Sequence, residues 1–289
     1  MISRARNRLA RALDRRFEAL HHRIEDLAMR VDALAERLDE EISPALRIMA
    51  GCDAENRRLL EAARRDPEYA LAFEEPEPLV TVILPTHQRA ELLRSRSLPA
   101  ALAQTHERIE VLVIADTHDQ PAEAAVHAAS DPRVRYVSLT QRYVYPDPHR
   151  HWLAASTLGR NEGYRLAAGR WMFDFDDDDS LPNDAIAILL QAARERRLEA
   201  VQGTIRQRHP NGAMEDIVPE PPGRLPLKGA VVHSHLRFFT REHVASAFGV
   251  PGDWFRGERM VRAGVRIELL PRVTYEYFPS GLWDPAPGL

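Results

Sequence analysis

Three scarcities narrow the possibilities for this chain before any motif is considered. One cysteine, Cys52, stands among 289 residues, which excludes an intrachain disulfide and a cysteine-built metal cluster and suits a reducing, cytoplasmic setting. No run approaches the ~20 apolar residues that a membrane-spanning helix requires. The N-terminus, MISRARNRLARALDRR, is basic and amphipathic but lacks the apolar centre of a secretory signal. It is therefore expected to stay on the protein, where it suits peripheral contact with an anionic membrane surface. A large excess of one charge is also missing, the formal net charge being -4, so nothing in the balance calls for nucleic acid as a partner.

What is present begins with an unusually regular helix. Leu13, Phe17, Leu20, Ile24, Leu27, Val31, Leu34 and Leu38 follow a strict 4-3 spacing, the seam of a coiled coil. Phe17, Ile24, Val31 and Leu38 take the a positions and leucine takes every d position, a pattern that favours two parallel strands. Arg16, Arg23, Arg30 and Arg37 at g would face one another in an antiparallel pair, so charge also points to a parallel homodimer. The alternative is a helix folded back on its own chain. Pro44 ends the strict pattern, a second helix is expected from Leu46 to Arg65, and the acidic, proline-punctuated Phe73–Leu79 reads as a linker. The expected organisation is a helical region over 1–72, a linker over 73–79 and one domain over 80–285.

From Val80 the texture changes to short apolar runs alternating with amphipathic stretches. Strands are expected at Val80–Leu84, Glu110–Ala115, Arg135–Leu139 and Arg170–Phe175, and helices at Glu91–Gln104, Pro121–Ala129 and Trp152–Ala168. Such a β-α-β order implies a parallel sheet with helices on its faces, whose ligands bind at the carboxyl ends of the strands.

The polar motifs fall at those ends. Trp171-Met-Phe-Asp-Phe-Asp-Asp-Asp-Asp-Ser-Leu-Pro182 places four consecutive carboxylates, Asp176 to Asp179, after a hydrophobic strand. Like charges so close disfavour one another's ionisation, and a hard divalent cation with oxygen ligands relieves the conflict. A calcium loop starting at Asp174 fails, because Asp179 falls where glycine is needed and Ala185 where a bidentate acid belongs. A solvated acidic turn is the plain alternative.

In order, the chain carries Thr81-Val-Ile-Leu-Pro-Thr-His-Gln-Arg89, Ala103-Gln-Thr105, Ala115-Asp116, Asp131-Pro-Arg-Val-Arg-Tyr136, Gly159-Arg-Asn-Glu-Gly163, Ala168-Gly169 and the acidic tetrad. This ordered set, from Val80 to about Asp184, resembles the family-2 glycosyltransferases. The resemblance implies a GT-A fold: an α/β, Rossmann-like, mostly parallel sheet of the nucleotide-diphospho-sugar transferase type, here preceded by the coiled coil. Residues 80–184 would then form the donor half and 185–285 the acceptor half. It further implies that Pro85, Thr86 and Arg89 belong to the loop holding the donor's base, with Asp116 also on the base. Arg160 and Asn161 would lie near the donor, and Asp176 and Asp177 near its ribose and phosphates. Asp178 would be the main ligand of a Mn²⁺ or Mg²⁺ ion, with Asp176 as a second.

The C-terminal part matches less fully. Val250-Pro-Gly-Asp-Trp-Phe-Arg-Gly-Glu-Arg-Met-Val-Arg-Ala-Gly264 resembles the family's Glu-Asp segment, which puts Asp253 on the catalytic base, although Gly252 replaces the preceding acid. Asp253 could instead cap a helix, and Glu258 is the next candidate base. Ala115 replaces a frequent second acid. The stretch between Leu139 and Asn161 is longer than usual and carries Arg142, Tyr143, Tyr145, His149, Arg150 and His151, suited to acceptor or phosphate contact or to a structural lid. His233 and His235 are spaced for metal on one strand face, or for a satisfied half-buried pair.

The expected reaction is transfer of a sugar, with inversion, from a nucleotide-diphosphate donor (UDP favoured) to a hydroxyl of a glycan, lipid-linked or protein acceptor, as in polysaccharide biosynthesis. A catalytically inactive sugar-nucleotide-binding domain is one alternative. A sugar nucleotidyltransferase is another, weakened because Pro85–Arg89 contains no glycine for a phosphate loop.

Overall fold

The computed structural model describes residues 2–142, 151–209, 211–217 and 227–279. The chain divides into two compact units, Met1–Ala50 and Gly51–Leu289.

The N-terminal part holds α1 (Ile2–Arg37) and a π-helical turn (Leu38–Ile42), and α2 (Ser43–Arg65) follows. Seam residues Phe17, Leu20, Ile24, Leu27, Val31, Leu34 and Leu38 are 50% to 69% exposed. The side chain of Leu13 lies outside the described residues. Pro44 does not stop the helix. The turn before it is widened to a π turn, in which Ser43 N–H donates to Leu38 O. The same device recurs before Pro99, where Leu98 N–H donates to Leu93 O.

The second unit contains α3 (Leu71–Glu74), β1 (Val80–Thr86), α4 (Ala90–Leu92), a π turn (Leu93–Ser97), α5 (Leu98–Leu102), β2 (Ile109–Ala115), α6 (Gln120–Ala129) and β3 (Val134–Ser138). Then come α7 (His151–Ala154), α8 (Thr157–Leu166), β4 (Trp171–Asp174), α9 (Ala185–Glu195), β5 (Ala200–Arg208), β6 (Met214–Ile217), β7 (Ala230–His233), α10 (Gly252–Ala263) and β8 (Ile267–Tyr277). The expected strands and helices are all present. The single helix expected over Trp152–Ala168 is broken between α7 and α8, where Ser156 takes a left-handed φ of 60°.

The strands form one sheet in the order β3-β2-β1-β4-β7-β5-β6, with β8 on β5. β1 runs parallel to β2 and β4, with Val80 opposite both Ile109 and Trp171, and β2 is parallel to β3. β7 enters antiparallel between β4 and β5. Every residue of β1 is buried, as expected of a central strand covered on both faces. Val82, Leu84, Trp171 and Phe173 face one apolar cluster; Ile83, Leu112 and Met172 face another. α8 sits very close to the second face: a Cβ on Gly163 would come within 2.3 Å of Ile83 Cγ2. Phe73, expected in a linker, is buried and packs edge-on against Trp171 at 5.6 Å. The carboxyl ends of β1, β2 and β4 therefore meet along one edge, and the chain delivers its acids there.

Candidate functional site

β4 ends at Asp174, which is buried. Its Oδ2 accepts hydrogen bonds from the Tyr164 hydroxyl at 2.6 Å, Arg241 at 3.3 Å and Arg256 at 3.4 Å. Arg160 approaches Oδ1 at 3.8 Å. Burial opposes a charge on Asp174, but the three guanidiniums and the hydroxyl outweigh it and hold the carboxyl below its ordinary range. Arg160 comes from α8 and Arg256 from α10, so one carboxylate ties both helices to the end of β4. This also fixes the start of α10, where Asp253 lies.

Beyond Phe175 the four acids diverge. Asp176 accepts from Arg160 and, at 2.8 Å, from Lys228. Asp177 turns toward β1, accepting from the Thr86 hydroxyl at 2.7 Å and Arg89 at 3.2 Å. Asp178 accepts from Arg89 at 2.6 Å. Asp179 is fully buried and accepts from the Tyr275 hydroxyl at 2.7 Å, Phe278 N–H at 2.9 Å and Lys228 at 2.8 Å. The protein's own cations, Arg89, Arg160 and Lys228, thus answer much of the repulsion that the sequence reading assigned to a metal. Burial, with the charges of Asp176 and Asp178, still pushes Asp179 up to about 6 against the pull of Lys228. Burial likewise raises Asp177 and Asp178. At Asp176 burial is outweighed by Lys228 and Arg160, which hold it low.

Asp176, Asp178 and Asp179 each bring a carboxylate oxygen within 4.8 Å of the others. That spacing and all-oxygen chemistry fit one hard divalent cation. Asp179 joins the expected pair Asp178 and Asp176, while Asp177 points to the other side.

Thr86 and Arg89 stand against these acids, and Pro85 is buried at the end of β1. Asp116 follows β2, its N–H donating to Thr86 O at 3.2 Å. Burial raises its carboxyl, opposed by Arg142 at 3.9 Å. His87, Gln88, Thr117, His118 and Asp119 line a cleft of about 320 Å³ beside it. The strained loop there is held by Gln88 (φ 53°), whose N–H donates to Asp119 at 2.8 Å. Arg160 and Asn161 brace the site from beneath. Arg160 is 1% exposed and also donates to Ile83 O at 2.7 Å, while Asn161 exchanges hydrogen bonds of 2.9 and 2.8 Å with the Arg241 backbone.

Asp253 sits in the first turn of α10, whose N-cap position belongs to Pro251. It is not the cap, and its carboxylate makes no hydrogen bond among the described residues. Burial opposes the charge of Arg241, but the carboxylates of Asp174 and Asp253 outweigh it and hold the guanidinium above its ordinary range. Glu258 pairs with Arg262 at 3.6 Å. His233 is a satisfied core histidine. Its Nε2 donates to Tyr69 O at 3.0 Å and its Nδ1 accepts His235 N–H at 3.1 Å. Its ring stacks on Tyr69, and burial pushes it down to about 4. In the long loop, Arg142 meets His151 at 3.3 Å; Tyr143, Tyr145, His149 and Arg150 lie outside the described residues.

Sequence reasoning missed Lys228, Tyr275 and the Asp174 cluster. One signal was available: Lys228 is the sole lysine of a chain with 39 basic residues.

Comparison with known proteins agrees with this architecture. Residues 81–216 match the model of Glycosyl transferase family 2. The succinoglycan biosynthesis protein ExoO of Rhizobium meliloti (strain 1021) is 32% identical over 116 residues, which cover 40% of this chain and 30% of ExoO. Residues 1–349 of S. aureus TarS superpose with a TM-score of 0.52 at 16% identity, covering 69% of this chain and 60% of that one. The same TarS fragment in complex with UDP gives 0.51 over equal shares. The fold is therefore of the GT-A type, and the chain spans under a third of its curated relative.

Proposed function

We propose, from the premise that residues 81–216 are a Glycosyl transferase family 2 domain, that this chain moves a sugar from a nucleoside-diphosphate donor to an acceptor hydroxyl. The observation that carries the reading is the acidic cluster at the end of β4, facing Thr86 and Arg89 of the β1 loop. UDP is the favoured nucleotide, supported by the UDP complex of TarS. The cleft beside Asp116 would take the base. Asp178 and Asp176, with Asp179, would hold Mn²⁺ or Mg²⁺, which when bound offsets the charge gathering on the diphosphate leaving group.

The chain's own residues supply the rest. Arg89 and Lys228 place positive charge beside the acids, where they can meet phosphate oxygens. Asp174, through Arg241 and Arg256, fixes the start of α10 and so aims Asp253. Asp253, whose carboxylate has no hydrogen bond among the described residues, accepts the proton of the acceptor hydroxyl as that oxygen bonds to the anomeric carbon, and the sugar inverts. Trp254, beside it, offers a wall for a sugar ring. The exposed heptad seam of α1 would pair two chains in parallel. No described helix is long and apolar enough to cross a membrane, so a lipid-linked acceptor would be met at a membrane surface.

A panel of nucleotide-sugars, scored for release of free nucleoside diphosphate with Mn²⁺ and with chelator, tests this reading. Metal-stimulated release from one member is expected. Release of a nucleoside triphosphate in the presence of pyrophosphate would instead identify a nucleotidyltransferase, and donor binding without turnover an inactive binding domain.

A further inference from the structure

Lys228 occupies the place that the proposed cation needs. Its ammonium lies 2.8 Å from Asp176 Oδ2 and 2.8 Å from Asp179 Oδ2, two of the three carboxylates that come within ligand distance of one another. With Arg160 on Oδ1, both oxygens of Asp176 are engaged. Asp178 alone of the three keeps an oxygen, Oδ1, without a donor among the described residues.

The placement is built in. Gln202 donates to Lys228 O at 3.0 Å, and the ammonium lies over the Tyr277 ring at 4.1 Å. Gly229 follows with a φ of 64°, and a Cβ there would come within 2.1 Å of the Tyr275 ring. The backbone can therefore pass Tyr275 only as glycine, and that passage puts the preceding side chain over the acids. Residue choice points the same way. The chain uses arginine at its other 38 basic positions, the 39 of Lys plus Arg less this one. Arginine's planar fork fixes a geometry, whereas an ammonium is a compact charge on a flexible stem that can turn to a new acceptor.

We propose that Lys228 is a tethered cation that holds Asp176 and Asp179 against the divalent ion until a nucleoside diphosphate arrives, takes the ammonium onto its phosphate oxygens and frees the carboxylates for metal. Metal and diphosphate then bind as a pair, and neither binds well alone. The proposal rests on the reading of these acids as a metal site.

Calorimetric titration of MnCl₂ into the full chain, with and without saturating UDP, tests it. For the wild type, UDP should tighten Mn²⁺ binding by ~10–100-fold, the range of ordinary coupling between sites. Lys228→Met removes the charge while keeping much of the bulk. It should bind Mn²⁺ alone about tenfold more tightly than the wild type and lose most of the UDP coupling, whereas Lys228→Arg should keep Mn²⁺ alone weak. Equal Mn²⁺ affinity of wild type and Lys228→Met without UDP overturns the proposal and leaves the metal reading standing. Failure of every protein to bind Mn²⁺, with UDP or without, overturns both. A measurement on the unaltered chain guards against misfolding of the variants: as the sole lysine, Lys228 can be followed by its acetylation rate in peptide mass spectrometry. Saturating Mn²⁺ alone should free the amine and speed the reaction; an unchanged or slower rate counts against displacement.

Discussion

Asp174→Asn probes the joint between fold and chemistry. The amide keeps the shape of the side chain and removes its charge, leaving Arg160, Arg241 and Arg256, which are 1%, 9% and 1% exposed, without their common anion. Removing one partner of a buried ion pair costs ~3–5 kcal/mol. Asp176 still pairs with Arg160, so the lower end, about 3 kcal/mol, is expected. At ~2–4 °C per kcal/mol for a domain of this size, the melting temperature should fall by about 6–12 °C. Tyr164→Phe, which deletes only the hydroxyl bonded to Asp174 at 2.6 Å, should cost about half as much, ~1.5 kcal/mol. The pH dependence has a definite sign. The folded carboxyl titrates below its unfolded value, so its contribution is fully present above the unfolded pKa and is lost as pH falls through the folded one. Scanning calorimetry at pH 7, 5 and 3 should therefore show the full gap between wild type and Asp174→Asn at the first two and a smaller one at the third. Because α10 is docked through this carboxylate, turnover should fall with the melting temperature. A variant that melts within about 2 °C of wild type at pH 7, or a gap that widens in acid, would refute the argument.

Asp253→Asn should lower turnover by ~10²–10⁴-fold, the usual worth of a positioned base, with donor affinity nearly unchanged in titration; near-normal turnover would move the role to Glu258. Sedimentation of the full chain at micromolar concentration should give a dimer that becomes monomeric after removal of residues 1–45 or in Leu20→Asp/Leu27→Asp, whereas a full-length monomer would show that the seam does not pair. Gly163→Ala forces a Cβ to within 2.3 Å of Ile83 Cγ2, an overpacking expected to cost ~1–3 kcal/mol; a thermal scan showing no loss would mean that α8 can move off β1.

The sequence by itself was enough to define the first four strands, their parallel pairing in one sheet and the acids at the sheet's carboxyl edge. Those features rest on local information: β-branched apolar runs such as Val80–Leu84 have one stable use, and four adjacent carboxylates cannot be placed in an apolar interior without cations. Tertiary structure alone decided which cations answer them. Lys228 is 49 residues beyond Asp179 in the chain, and it reaches the acids because β7 inserts antiparallel beside β4, a pairing that periodicity does not encode. Arg160 and Asn161 show the same division. Their position on α8 was legible, but the burial of Arg160 beneath the site follows from how closely Gly163 lets that helix approach β1. His233 was read as a satisfied core residue before a ligand, and Tyr69, 164 residues earlier, supplies the partner by closing over its ring. A side chain's role was legible where near neighbours set its environment, and was left to the fold where its partners arrive from distant segments.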